Sequence, residues 1–180
     1  MKLMFISDIH GSAGCLKECI EIFTREGANR LILLGDLLYH GPRNDLPKDY
    51  APKEVIRMLN DRKDQILAVR GNCDAEVDQM VLEFPIQSDY LTLCVDRQEF
   101  YLSHGHLYNN TLPPNLRKGT IYIQGHTHIP MARQKGGFYH VNPGSIALPK
   151  EGHPPTYGIY ENKKITVKTF SGDCYIDLAI

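Results

Sequence analysis

Short apolar runs alternate with amphipathic stretches through the first half of the chain. Leu3–Ser7 is an apolar run that reads as a buried strand. In Ala13–Gly27, Leu16, Cys19, Ile20 and Phe23 recur at helical spacing with charges between them, and Gly27 stops the helix. Arg30–Gly35 is a second apolar strand. A loop punctuated by Pro42, Pro47 and Pro52 follows, and Pro52 opens a helix carrying Val55, Ile56 and Leu59. Gln65–Arg70 is a third strand. Asp74–Leu82 reads as a third helix, with Val77, Met80 and Val81 turned inward. The β-α-β-α-β-α order predicts a parallel sheet here.

The second half has a different texture. Tyr90–Val95 and Glu99–Ser103 read as a hairpin. Thr120–Gln124, Phe138–Val141, Thr156–Tyr160, Lys164–Phe170 and Cys174–Leu178 read as strands, with few helical patterns between them. The expectation is two sheets packed face to face with helices outside, in one domain spanning residues 1–180. The change near residue 85 marks texture, not a linker.

Composition narrows the function classes. The 180 residues carry 20 Lys+Arg against 21 Asp+Glu, a net charge of −1. That balance argues against general nucleic-acid binding, which needs a basic excess. No apolar run approaches the roughly 20 residues of a membrane helix. Leu3–Ile6, followed at once by polar Ser7 and Asp8, is too short for the core of an export signal, so the expected location is the cytoplasm. The five cysteines contain no C-x-x-C and read as reduced thiols.

The candidate chemistry lies just after the strands. The first ends in Asp8-Ile9-His10-Gly11, the second in Gly35-Asp36, the third in Gly71-Asn72-Cys73-Asp74. Two later ones end in Ser103-His104-Gly105-His106 and Gly125-His126-Thr127-His128. Loops beyond carboxyl strand ends converge in α/β folds. Asp, His and Asn side chains offer oxygen and nitrogen donors suited to Mn²⁺, Fe²⁺, Co²⁺, Ni²⁺ or Zn²⁺. Seven such donors exceed the four of a structural zinc site and suffice for two ions. Arg43 and Arg70 are candidates for a bidentate grip on a substrate phosphate. Asp74, beside Cys73, is a candidate catalytic-site residue that either orients a neighbour or caps the helix that begins there, and the cap is the favoured reading.

The order D-x-H, G-D, G-N-x-D, G-H, G-H-x-H resembles the calcineurin-like metallophosphoesterase superfamily across roughly residues 3–145. The resemblance implies a four-layer α/β/β/α sandwich. It assigns Asp8, His10, Asp36 and His128 to one divalent ion and Asp36, Asn72, His104 and His126 to a second, with Mn²⁺ foremost. It places Asn142-Pro143-Gly144-Ser145 near the site, with Asn142 a candidate substrate contact. Many members carry histidine at the position of Cys73, as the proton donor to the leaving oxygen. A thiol is a poor substitute. Close members with cysteine there favour diesters, so the resemblance implies hydrolysis of a small or nucleotide-like phosphodiester. His106 is the candidate for the missing proton. Three alternatives remain: a phosphomonoesterase, a nuclease, and a non-catalytic protein-binding scaffold of the same fold. The intact ligand set argues against the scaffold. Relatives form homo-oligomers, which leaves self-association open.

Overall fold

The computed structural model describes residues 1–108, 112–113 and 116–180. Its strands are β1 (Leu3–Ile6), β2 (Arg30–Leu33), β3 (Ile66–Ala68), β4 (Tyr90–Val95), β5 (Gln98–Ser103), β6 (Ile121–Ile123), β7 (Met131–Lys135), β8 (Phe138–Asn142), β9 (Thr156–Glu161), β10 (Lys164–Thr169) and β11 (Cys174–Ala179). The helices are α1 (Ala13–Glu26), α2 (Pro52–Asn60) and the single turn α3 (Glu76–Gln79). Two mixed sheets result. One runs β11-β10-β9-β1-β2-β3, the other β4-β5-β6-β8-β7.

Strands β1, β2 and β3 pair in parallel, as the alternating pattern predicts. The C-terminal strands complete the same sheet rather than forming another. Strand β9 runs antiparallel to β1, pairing Met4 with Ile159 and Phe5 with Gly158. Strand β1 therefore sits mid-sheet and is buried on both faces. Leu3 and Phe5 point to the second sheet, where they join Ile32, Phe100, Leu102, Ile121 and Val141. Met4 and Ile6 point the other way, onto Leu16, Cys19 and Phe23 of α1 and Val55 and Leu59 of α2. The period of two along one strand thus holds three layers together.

Helix α1 begins at Ser12, whose Oγ accepts from the Cys15 N–H (3.4 Å), and ends at Gly27 in the left-handed region. Among the described residues, no helix covers the outer face of the second sheet. None is long and apolar enough to cross a membrane.

Two local expectations fail. The third helix is one turn, and Val77, Met80 and Val81 point outward, at 62, 83 and 43% exposure. The Gln79 side chain donates to the carbonyls of Leu82 and Phe84 and accepts from the Ile86 N–H. These bonds turn the chain into an extended segment, and Leu82, Phe84 and Ile86 enter the core instead. Strand β7 was not predicted. Its sequence, MARQK, is a largely exposed edge strand carrying Arg133 and Lys135, and such charges guard an edge against further pairing.

Candidate metal centre

Five loops bring the polar clusters to one place. The loops after β1, β2 and β3 come from the first sheet, and those after β5 and β6 from the second. The β1 and β2 loops are laced together: Asp8, His10 and Gly11 donate backbone N–H groups to the carbonyls of Gly35, Asp36 and Leu37. Asp8, His10, Asp36, His126 and His128 all have positive φ, between 46° and 67°. Backbone strain of this kind at five site residues marks loops shaped for side-chain placement. Gly71 is required by contact, since a Cβ there would collide with the backbone and carboxylate of Asp36.

Asp8, His10, Asp36, His104 and His128 are buried. Three histidines share one arrangement. Nδ1 lies 2.8 Å from the Tyr39 carbonyl in His10, 2.7 Å from Leu34 O in His104 and 2.6 Å from Leu148 O in His128. A carbonyl only accepts, so each Nδ1 carries a proton and each Nε2 is turned inward, presenting a lone pair when the ring is neutral. Those lone pairs face further acceptors. His10 Nε2 is 3.4 Å from His128 Nε2, and His128 Nε2 is 3.2 Å from Asp8 Oδ1. His104 Nε2 is 3.0 Å from Asn72 Oδ1 and 3.5 Å from Asp36 Oδ2. His10 Nε2 is 3.6 Å from the same Asp36 oxygen.

Acceptors facing acceptors in a buried site call for protons or cations between them. The titration shifts point the same way. Burial alone would raise Asp8, but the surrounding histidines hold it well below the carboxylate range. Burial would lower His104, but Asp36 and Asp8 push it up to about 9. His126, half-buried and beside His104, is pushed down to about 4. Among the described residues, donor atoms converge in three groups: Asp8, His10 and His128; Asp8, Asp36 and His104; and His10, Asp36 and Cys73. The residues present fit a divalent metal centre. Asn72 abuts the centre through His104, and His126 through its ring, 5.0 Å from that of His104.

The other candidates divide. Arg43 lines a cavity of about 500 Å³ together with His10, Asp36, Asn72, Cys73, His126 and His128. Arg70 is engaged elsewhere, with two bonds to Asp89 Oδ1 at 3.0 and 2.6 Å. Asn142 is a brace: its amide donates to Gly125 O (2.8 Å) and Thr127 Oγ1 (3.0 Å), and it is buried. Ser145 ties the Asp8 carbonyl to the backbone of Ala147 and Leu148. His106 stands behind the site, its ring 5.4 Å from that of His104, and does not line the cavity. Among the described residues, its buried Nδ1 has no hydrogen-bond partner.

Asp74 is not a helix cap, since α3 begins after Ala75. Its carboxylate accepts from the N–H groups of Asp36 (2.8 Å), Leu37 (2.7 Å) and Gly71 (2.7 Å), joining the second and third loops. Burial, with Asp36 nearby, pushes it up to about 6 despite those bonds. Sequence reasoning missed Lys150 and Thr127, which line the cavity. The Lys150 N–H reaches the His128 carbonyl at 3.4 Å. Lys150 belongs to no motif, so nothing in the sequence marked it.

Comparison with known proteins agrees with this picture. A family model described as the calcineurin-like phosphoesterase superfamily domain matches residues 1–164. Phosphodiesterase YfcE of Escherichia coli is 47% identical over 167 residues, covering 93% of this chain and 91% of that one. The structure of the Escherichia coli phosphoesterase superposes with a TM-score of 0.97 at 44% identity, over all of both chains. Vacuolar Protein Sorting 29 from Cryptosporidium parvum shares the fold, at a TM-score of 0.62 and 16% identity over 92% of this chain and 88% of that one.

Proposed function

Because the chain belongs to the calcineurin-like phosphoesterase superfamily, we propose that it is a metal-dependent phosphodiesterase that hydrolyses a small, nucleotide-like diester at a dinuclear centre, with Mn²⁺ the preferred ion. The observation that carries this reading is the convergence of the inward Nε2 atoms of His10, His104 and His128 on the oxygens of Asp8, Asp36 and Asn72 in a buried site. Asp8, His10, Asp36 and His128 would hold one ion, and Asp36, Asn72, His104 and His126 the other. When bound, the ions would lower the pKa of a water between them to make a nucleophile and would spread the charge of the phosphoryl oxygens.

The chain's own residues supply the rest. The carbonyls of Tyr39, Leu34 and Leu148 fix the histidine tautomers. Arg43 and Lys150 put positive charge on the cavity wall, where a phosphate enters. Cys73 faces the same cavity. Burial, then the Asp36 carboxylate, pushes its thiol far above the ordinary thiol range. A thiol lacks the near-neutral pKa of imidazole, so a leaving oxygen receives little help from it. Esters with good leaving groups tolerate that loss best. The phosphodiesterase name of a relative with 47% identity supports the diester.

The test strips the protein with a chelator, restores Mn²⁺, and compares bis-p-nitrophenyl phosphate with p-nitrophenyl phosphate. The expected result is Mn²⁺-dependent cleavage of the diester with little of the monoester. Preference for the monoester would overturn the diester assignment. No cleavage of either with any divalent ion would overturn the enzymatic reading and favour a scaffold. Cys73→His tests the assigned position: turnover of an alkyl ester, whose leaving group is poor, should rise relative to the p-nitrophenyl ester by about 10²-fold, the lower end for a placed general acid.

A further inference from the structure

Of the six residues in the three convergent donor groups, five offer oxygen or nitrogen, and only the set of His10, Asp36 and Cys73 contains sulfur. In that set the histidine nitrogen, carboxylate oxygen and Sγ all lie within 4.8 Å of one another. The thiol is held in place. The Cys73 N–H donates to Asp36 Oδ1 at 2.8 Å, and the Asn72 amide donates to Cys73 Sγ at 3.3 Å. Gly41 of the overlying loop comes so close that a Cβ there would sit 3.3 Å from Sγ. Cys73 is half-buried and lines the cavity, so an ion from solvent reaches it.

We propose that Cys73, His10 and Asp36 form a thiol-containing site that captures soft divalent cations, Zn²⁺ and Cd²⁺, in preference to Mn²⁺. Thiolate sulfur favours soft ions, whereas carboxylate oxygen suits hard ones. A captured ion binds the thiolate, so it must displace the thiol proton from sulfur to solvent. A soft ion recovers this cost in the metal–sulfur bond, and Mn²⁺ does not. On the reading of the dinuclear centre given above, His10 and Asp36 belong to both arrangements. A soft ion taken here therefore competes with the catalytic pair, and the enzyme is inhibited by the ions its thiol selects.

The test is spectroscopic and needs no substrate. The chelator-stripped protein is prepared in a Cys15→Ser, Cys94→Ser, Cys174→Ser background, which leaves Cys73 as the accessible thiol because Cys19 is buried. Titration with Cd²⁺ should produce the ultraviolet thiolate-to-cadmium charge-transfer band, saturating at one ion per chain. Adding Cys73→Ser should abolish the band and weaken Zn²⁺ binding by at least about ten-fold, the lower end for loss of a group supporting a metal site. Mn²⁺ affinity, read from the free-ion electron paramagnetic resonance signal, should stay the same and shows that the variant is folded with its site assembled. A missing band with Cys73 present, a band that survives Cys73→Ser, or equal losses of Zn²⁺ and Mn²⁺ affinity would each overturn the proposal. A chain that shows the band but cleaves no diester would overturn the proposed function and leave this site standing.

Discussion

At the scale of single residues, the site depends on groups that touch no substrate. Asp74 is the clearest. It accepts three backbone N–H groups from two loops, one of which carries Asp36 and the other Asn72. Asp74→Asn keeps the shape but replaces one acceptor oxygen with a donor, which then faces backbone donors. Hydrogen bonds to a charged group are each worth about 1.5–3 kcal/mol, so stability should fall by about that much. Mn²⁺ affinity should fall by about 10–100-fold, as for other groups that orient metal ligands. Denaturant unfolding and Mn²⁺ titration of the variant measure the two effects. An unchanged affinity would show that the loops hold their places without this carboxylate. The donors themselves were legible in the sequence because their types and spacing after each strand follow from coordination chemistry. Asp74 reads first as a cap because aspartate before a helical pattern is a local signal, whereas two of its three partners lie 37 and 38 residues away. Lys150 and the bracing role of Asn142 were hidden for the same reason: each is defined by a contact across the fold.

At the scale of elements, α1 is tied to the first sheet by Glu26. Its Oε1 accepts from Tyr157 (2.9 Å) and Lys168 (2.7 Å), and Oε2 lies 2.9 Å from Lys2 Nζ. One carboxylate thus joins the end of α1 to β9, β10 and the entry to β1. Burial opposes its charge, but the bonds from Lys168, Lys2 and Tyr157 outweigh it and hold Glu26 at about 2, against an ordinary 4.5. A carboxyl depressed on folding stabilises fully above its unfolded pKa and loses that contribution as pH falls through the folded one. For a shift of this size the contribution at neutral pH is about 3 kcal/mol. Glu26→Gln should lose up to that amount at neutral pH, and its deficit against wild type should shrink as pH drops from 4.5 towards 2. Urea unfolding across that window tests it, and a deficit independent of pH would mean the loss is packing rather than charge. The period-based reading of elements worked where both faces of the pattern were strong, as in β1 and α1. It failed at residues 76–81, where Gln79 recruits the backbone of Leu82, Phe84 and Ile86. No hydrophobic pattern encodes that bond. It also missed β7, whose exposed edge position removes the apolar alternation that marks a strand.

At the scale of the whole molecule, the candidate ligands run from Asp8 to His128 and come from both sheets. They meet only when β1, β2 and β3 are paired and the second sheet is docked against them. An unfolded chain holds no such site, so cation binding adds directly to folding free energy. A ligand at 100 times its dissociation constant stabilises the native state by about 2.7 kcal/mol. For a chain of this size each kcal/mol moves the melting temperature by about 2–4 °C. Mn²⁺ at that excess should therefore raise the melting temperature of the chelator-stripped protein by about 5–10 °C. The rise should be largely lost in Asp36→Asn, because Asp36 Oδ2 is the oxygen that both His10 and His104 face, at 3.6 and 3.5 Å. Differential scanning calorimetry with graded Mn²⁺ distinguishes the outcomes. A melting temperature indifferent to Mn²⁺ would show that the buried acceptors are satisfied by protons instead of metal. An equal rise in Asp36→Asn would place the ion somewhere other than between the two sheets.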